Sequence, residues 1–160
     1  MKKAIYAGSF DPITNGHIDI IQRALSFFDE INIVVIQNIS KKAFFTVQER
    51  INLISKLFAN EPKIIIETFD GLLVNYSKQK NIYTLIRGLR AVSDFDYEFQ
   101  MALMNRKLSN KLDTVFFMTD EKFTYLSSSL VRELARSEAD LSEFVPEIIQ
   151  DALREKLNHG

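Results

Sequence analysis

Five short apolar runs, rich in β-branched and aromatic residues, recur along the chain at Ala4 to Tyr6, Ile31 to Ile36, Ile64 to Ile66, Tyr83 to Ile86 and Val115 to Met118. Each ends in a polar or glycine-bearing turn, and each reads as a buried strand. Between them the apolar spacing changes to three and four, as in Ile18, Ile21, Leu25 and Phe28, which share one face of a helix. Thr46 followed by Glu49 has capping-box spacing, and Ser93 followed by Asp96 can cap a helix running towards Lys107. Strands that alternate with helices are parallel neighbours, because the chain must cross back over the sheet, and such crossovers are right-handed. The expected fold is therefore α/β: a Rossmann-like five-stranded parallel sheet with helices on both faces and a site at the carboxyl ends of the strands. Beyond the last strand, Ser127 to Ser137 and Pro146 to Leu157 read as two more helices, with Pro146 suited to a first turn.

A chain of 160 residues, 46% hydrophobic, buries one continuous core but does not divide comfortably in two, so residues 1–160 are expected to form a single domain. Lys and Arg total 20 against 21 Asp and Glu. The resulting balance offers no broad basic field for nucleic acid or an anionic membrane, so any bound anion must be held by local groups. With no Cys and two His, thiolate chemistry, disulfides and Cys-based zinc sites are excluded. Met1-Lys2-Lys3 is basic, but Ser9, Asp11 and Pro12 interrupt the following apolar stretch before it could serve as a signal-peptide core. No apolar run approaches the roughly 18 residues needed to cross a bilayer. A soluble, unprocessed, cytoplasmic protein is expected.

Four segments follow strands and carry anion-binding chemistry, the first three of them emerging on the same carboxyl edge. Gly8 to His17 exits the first strand and enters a helix with Thr14 as its N-cap, so His17 falls in the first turn, beside backbone N–H groups and the positive end of the helix dipole. Taken alone, the glycines could equally serve only the turn and the histidine only the helix end. No G-x-G-x-x-G is present, which weakens a dinucleotide reading. Lys41-Lys42 follows the second strand and, in isolation, is a solvated pair. Arg87-Gly88-Leu89-Arg90 follows the fourth, where two guanidinium groups flanking a glycine suit phosphate oxygens. Ser127-Ser128-Ser129 opens a helix after the fifth strand and either caps it or holds phosphates. The helix through Phe95, Tyr97, Phe99 and Met101 is apolar on more than one side, which leaves surface for a partner subunit.

Thr14-Asn15-Gly16-His17 resembles the T/H-x-G-H signature of the nucleotidyltransferase superfamily. With Ile86-Arg87-Gly88-Leu89-Arg90 and Ser127-Ser128-Ser129-Leu130-Val131-Arg132, nearly the whole chain resembles the bacterial phosphopantetheine adenylyltransferases. That resemblance implies transfer of AMP from ATP to 4′-phosphopantetheine, giving dephospho-coenzyme A and pyrophosphate, with Mg²⁺ as cofactor and assembly as a homohexamer. It implies that Ser9 and Lys41 contact the phosphopantetheine phosphate, that Arg87 binds the same substrate and that Leu73 lies along its arm. On the ATP side it implies Ser9, Phe10, His17, Gly88, Leu89, Arg90, Glu98 and the run Phe123, Thr124, Tyr125, Leu126, Ser127, Ser128 and Ser129, with His17, Lys41 and Arg90 catalytic. Metal-positioning residues are not identified. Ser9 stands where many members have Thr, Leu126 where Ile is frequent, and Ala7 and Ala43 where some have Pro.

The expected chemistry is in-line attack by an acceptor phosphate oxygen on the α-phosphorus, which needs alignment and charge stabilisation but no protein nucleophile. The alternatives are a nucleotidyltransferase with another acceptor, a noncatalytic nucleotide-binding module and an assembly protein.

Overall fold

The structure is a computed structural model that describes residues 1–37, 42–90 and 92–158, with only the backbone of 92 and 93. Five strands, β1 (Lys3–Gly8), β2 (Glu30–Val35), β3 (Ile64–Thr68), β4 (Thr84–Leu89) and β5 (Asp113–Met118), form one parallel sheet in the order β3-β2-β1-β4-β5. The helices are α1 (Asn15–Ala24), α2 (Val47–Leu57), α3 (Leu73–Lys80), α4 (Val92–Leu108), α5 (Ser128–Arg136) and α6 (Glu147–Asn158), with a 3₁₀ turn at Glu121–Phe123.

Alternation along β1 divides the core. Ala4 and Tyr6 face a large cluster with Ile20 and Ile21 of α1, Ile54 of α2, Val131 of α5 and Ile149 of α6. Ile5 and Ala7 face a smaller one with Val74 and Tyr76 of α3. Both faces are thus covered, as period-2 side chains in a parallel sheet require. Near-complete burial holds for β1 and β2 but not for the edges. Ile65 on β3 and Val115 and Met118 on β5 are exposed, since an edge strand is flanked on one side only.

The helix starts follow local chemistry. Thr46 accepts a hydrogen bond from the Glu49 N–H while the Glu49 carboxylate accepts one from the Thr46 N–H, a complete capping box. Ser127 caps α5 by accepting from the Leu130 N–H at 3.1 Å. Helix α4 begins at Val92, so Ser93 lies inside its first turn rather than capping it, and Pro146 immediately precedes α6. Helix α3 carries few periodic apolar residues and is defined by its packing under the smaller core cluster.

The strand order changes direction between β1 and β4. From β1 the chain moves outward to β2 and β3, then returns to lay β4 on the other side of β1. The loops leaving β1 and β4 therefore diverge and open a crevice at the carboxyl edge, the place where α/β sheets bind ligands.

Candidate active site

That crevice is a cavity of about 500 Å³ lined by the turn after β1, the end of β4, the start of α4 and the start of α5. Of the residues singled out from the sequence, Ser9, Phe10, His17, Arg87, Gly88, Arg90, Glu98, Leu126, Ser127, Ser128 and Ser129 line it. Leu89, Phe123, Thr124 and Tyr125 flank the lining without joining it. Phe123 sits behind Gly16, and Tyr125 turns its ring against Phe144. Leu73 packs at the edge of the smaller core cluster and does not line the cavity. Lys41 lies outside the described residues, while its neighbour Lys42 lines the cavity.

His17 is the third residue of α1, and its ring folds back on the helix start. The Thr14 backbone N–H donates to His17 Nδ1 at 3.0 Å, which makes Nδ1 the acceptor and leaves the ring proton on Nε2. Phe10 meets the imidazole edge-to-face at 5.1 Å between centroids and meets Tyr6 in the same way at 5.3 Å. Burial in this aromatic setting, reinforced by the positive charges of Arg90 and Arg87, lowers the His17 pKa to about 4. At neutral pH the ring is an uncharged donor. Phe10 reaches its place through a left-handed backbone with φ of 45°, an uncommon conformation for a non-glycine residue that concentrates at functional sites.

Two guanidinium groups stand opposite. Arg87 is gripped by Glu98 of α4 through two bonds of 2.7 and 2.6 Å and also donates to the Ala7 carbonyl at 2.8 Å. Burial opposes its charge, but the Glu98 carboxylate more than offsets this and raises its pKa. Arg90 is more open; it pairs with Asp94 at 3.0 Å and donates to the Leu126 carbonyl at 2.9 Å, tying β4 to the entry of α5. Between the two, Gly88 lets α1 approach closely, because an added Cβ would lie 3.2 Å from Ile20 Cγ1.

The serine hydroxyls are engaged within the protein. Ser127 caps α5, Ser128 donates to the Pro12 carbonyl at 2.8 Å, and Ser129 accepts from Arg132 at 3.2 Å. What α5 presents to an anion is instead the backbone N–H groups of Ser128 and Ser129, since the Leu130 N–H is taken by the Ser127 cap.

Several lining residues were not assigned to the site from the sequence: Tyr6, Asp11, Thr14, Arg50, Asp94 and Arg132. Asp11 and Thr14 stand inside the quoted motif and could have been found there. Arg50 sits at the end of the first turn of α2, with no local signal pointing to the cleft. The cleft brings cations, a neutral imidazole N–H and two helix starts around one space, which suits a polyphosphate. Asp11, Asp94 and Glu98 are the carboxylates on its wall, and all three are bonded to protein donors.

Residues 5–134 match the cytidylyltransferase-like family model, and the chain belongs to this class of nucleotidyltransferases. In fold it is similar to a chain of Vibrio parahaemolyticus described as a nicotinate-nucleotide adenylyltransferase, with a TM-score of 0.72 at 19% identity over 98% of this chain and 95% of that one. A nicotinic acid mononucleotide adenylyltransferase of Plasmodium falciparum gives 0.66 at 19% identity, over 97% and 96%. In sequence it is 53% identical to a phosphopantetheine adenylyltransferase of Alkaliphilus metalliredigens, over 98% of this chain and 99% of the relative. A phosphopantetheine adenylyltransferase of Syntrophomonas wolfei is 47% identical over the full length of both. Within the class, the chain belongs to the phosphopantetheine adenylyltransferase family.

Proposed function

We propose that this protein transfers the adenylyl group of ATP to the phosphate of 4′-phosphopantetheine, producing dephospho-coenzyme A and pyrophosphate for coenzyme A biosynthesis. The observation that carries the reading is the neutral His17 ring, its Nε2–H free of the Thr14 contact, in one cleft with Arg87 and Arg90. Identity of 53% over 98% of the chain to a relative named for this acceptor supports the substrate.

An acceptor phosphate oxygen forms a bond to the α-phosphorus as the bond from that phosphorus to the bridging oxygen breaks, and the electron pair leaves with pyrophosphate. The acceptor is already anionic at neutral pH, so no strong base is needed. His17 donates from Nε2 to the α-phosphate as it becomes five-coordinate, with Lys41 assisting. Arg90 and the N-terminus of α5 hold the β- and γ-phosphates. Ser9, Lys41 and Arg87 orient the acceptor phosphate, with Leu73 further along its arm. Phe10, Gly88, Leu89, Glu98 and residues 123–129 complete the ATP side.

Mg²⁺ is the proposed cofactor. Among the described residues no group of three carboxylates or imidazoles is placed to hold it, and the cleft carboxylates are bonded to protein donors. The described residues do not fit a resident Mg²⁺ cage; a Mg²⁺ bound in the cleft would be held chiefly by triphosphate oxygens and would offset their negative charge.

Homohexameric assembly is supported by the apolar surface of α4, where Phe95, Phe99, Leu103 and Met104 are exposed, and by the edge strand β5, where Phe116 meets Phe95 and Met118 is exposed on the same strand face. A cytoplasmic site of action accords with the metabolic role. Among the described residues no helix is long and apolar enough to cross a membrane. Pyrophosphate release from Mg-ATP, with 4′-phosphopantetheine, nicotinamide mononucleotide and glycerol 3-phosphate compared as acceptors, tests the reading. Release with phosphopantetheine alone, accompanied by dephospho-coenzyme A, is expected, and release with another acceptor instead would overturn the substrate.

A further inference from the structure

Asp11 and Arg50 are buried charged side chains whose bonding is directed to backbone rather than to each other. The Asp11 carboxylate accepts the Phe44 N–H through Oδ2 and the Phe45 N–H through Oδ1, each at 2.8 Å, across more than thirty residues of sequence. Arg50 Nη1 donates to the Ser9 carbonyl and, at 3.2 Å, to the Ile36 carbonyl, while its Nε donates to the Thr46 carbonyl at 3.3 Å. Arg50 is 2% exposed and Asp11 6%. Burial pulls the Arg50 pKa down, and the Asp11 charge opposes that pull.

Between them the two side chains bind the turn after β1 to the loop after β2. The backbone they fix is the backbone that lines the cavity: Ser9 and Phe10 on one side, Lys42 and Ala43 on the other. Charges buried this deeply are an expensive way to stabilise a loop, and an apolar contact would do so at lower cost in desolvation. A carboxylate accepting two consecutive N–H groups, and a planar fork reaching carbonyls on two segments, fix backbone direction in a way that apolar contacts do not.

We propose that Asp11 and Arg50 are positioning residues that hold the acceptor-phosphate side of the cleft in its reactive geometry before substrate arrives. This rests on the functional reading above, in which Ser9 and Arg87 serve the acceptor. Arg50 orients Ser9 through its carbonyl. Asp11 orients the segment entering α2 through two amides, and Arg132 of α5 holds the Asp11 carbonyl in turn. On the ATP side, His17 and Arg90 make their hydrogen bonds with Thr14, Asp94 and Leu126 rather than with the Phe44–Phe45 segment.

The test compares full-length wild type, Asp11→Asn and Arg50→Lys. Asn keeps one acceptor oxygen but turns an NH₂ towards an amide, and Lys keeps the charge but loses the fork. The readouts are steady-state kinetics for 4′-phosphopantetheine, equilibrium binding of Mg-ATP and hydrogen exchange of the Phe44 and Phe45 amides. Both variants should raise the acceptor KM by on the order of tenfold or more, because small displacements of positioning groups cost heavily. ATP affinity should stay within about twofold, and Asp11→Asn should speed exchange at the two amides. Equal weakening of both substrates, or unchanged acceptor KM in a folded variant, overturns the proposal. Should one variant fail to fold, the other is read alone; failure of both to fold marks them as frame residues and overturns it too. An inactive wild type would instead refute the functional reading, which keeps the two failures apart.

Discussion

The Thr14 backbone N–H points at His17 Nδ1 from 3.0 Å, and because an amide N–H can only donate, the histidine proton belongs on Nε2. A helix start thereby sets the tautomer of the side chain best placed to meet a phosphate. In the ligand-free protein, the His17 ring should titrate with a midpoint near 4 rather than the ordinary 6.5. The native state resists protonation there, so this group's contribution to stability is complete above about pH 6.5 and is lost as the pH falls through 4. Nitrogen-detected NMR of the free protein checks both points. A midpoint near 6.5, or a proton on Nδ1, would contradict the geometry.

Replacing His17 by Ala removes a donor aimed at charge that develops during reaction. Turnover should fall about a hundredfold, a loss on the order of 3 kcal/mol of transition-state stabilisation, with ATP affinity nearly unchanged. Single-turnover kinetics beside equilibrium ATP binding separate the two effects.

The two arginine pairs should differ in their worth to the fold. Glu98 holds the better-buried Arg87 through two bonds, whereas Asp94 meets an Arg90 side chain that is 39% exposed. Glu98→Gln should cost about 2–3 kcal/mol, since it leaves a partly buried cation poorly compensated. Asp94→Asn should cost less than about 1 kcal/mol. Urea unfolding of the two variants gives the comparison, and equal losses would show that burial does not govern the pair.

Gly88→Ala probes the contact between β4 and α1. The new methyl would lie 3.2 Å from Ile20 Cγ1 and 3.4 Å from Cδ1, and Ile20 is itself packed at 2% exposure. Overpacking of this kind costs about 1–3 kcal/mol. Since α1 also carries His17, turnover should fall along with the melting temperature. A lower Tm with full turnover would mean that α1 yields without moving its histidine.

On the outer surface, Phe95 and Phe99 stack at 5.5 Å and both are exposed. If the proposed hexamer forms and joins its subunits through this face, Phe99→Glu should shift sedimentation to smaller species while the circular dichroism of the fold persists. Sedimentation at the hexamer mass for both proteins would place the contact elsewhere.

Much of the architecture was legible in the sequence because its determinants are local. Strand runs and helical stripes show themselves within a few residues, and so do the Thr46–Glu49 capping box and the Thr14 helix start. The edge character of β5 was not legible, because Val115 to Met118 is as apolar as a central strand and only the strand order leaves it with one neighbour. The serine cluster shows the same limit. Its residues suit either capping or phosphate binding, and the partners at Leu130, Pro12 and Arg132 assign the hydroxyls to the protein.

By itself, the sequence determined an alternating α/β chain, a cleft at the carboxyl edge of the sheet and the motifs that supply His17, Arg87 and Arg90 to it, since periodicity, caps and turns depend on neighbours along the chain. Only the tertiary structure decided that Arg87 pairs with Glu98, that Asp11 captures the Phe44 and Phe45 amides, and that Arg50 reaches the Ser9 carbonyl. These partners lie 11 to 41 residues apart. Buried donors and acceptors must be satisfied, but which ones meet is set by strand order and by the direction in which each loop leaves the sheet.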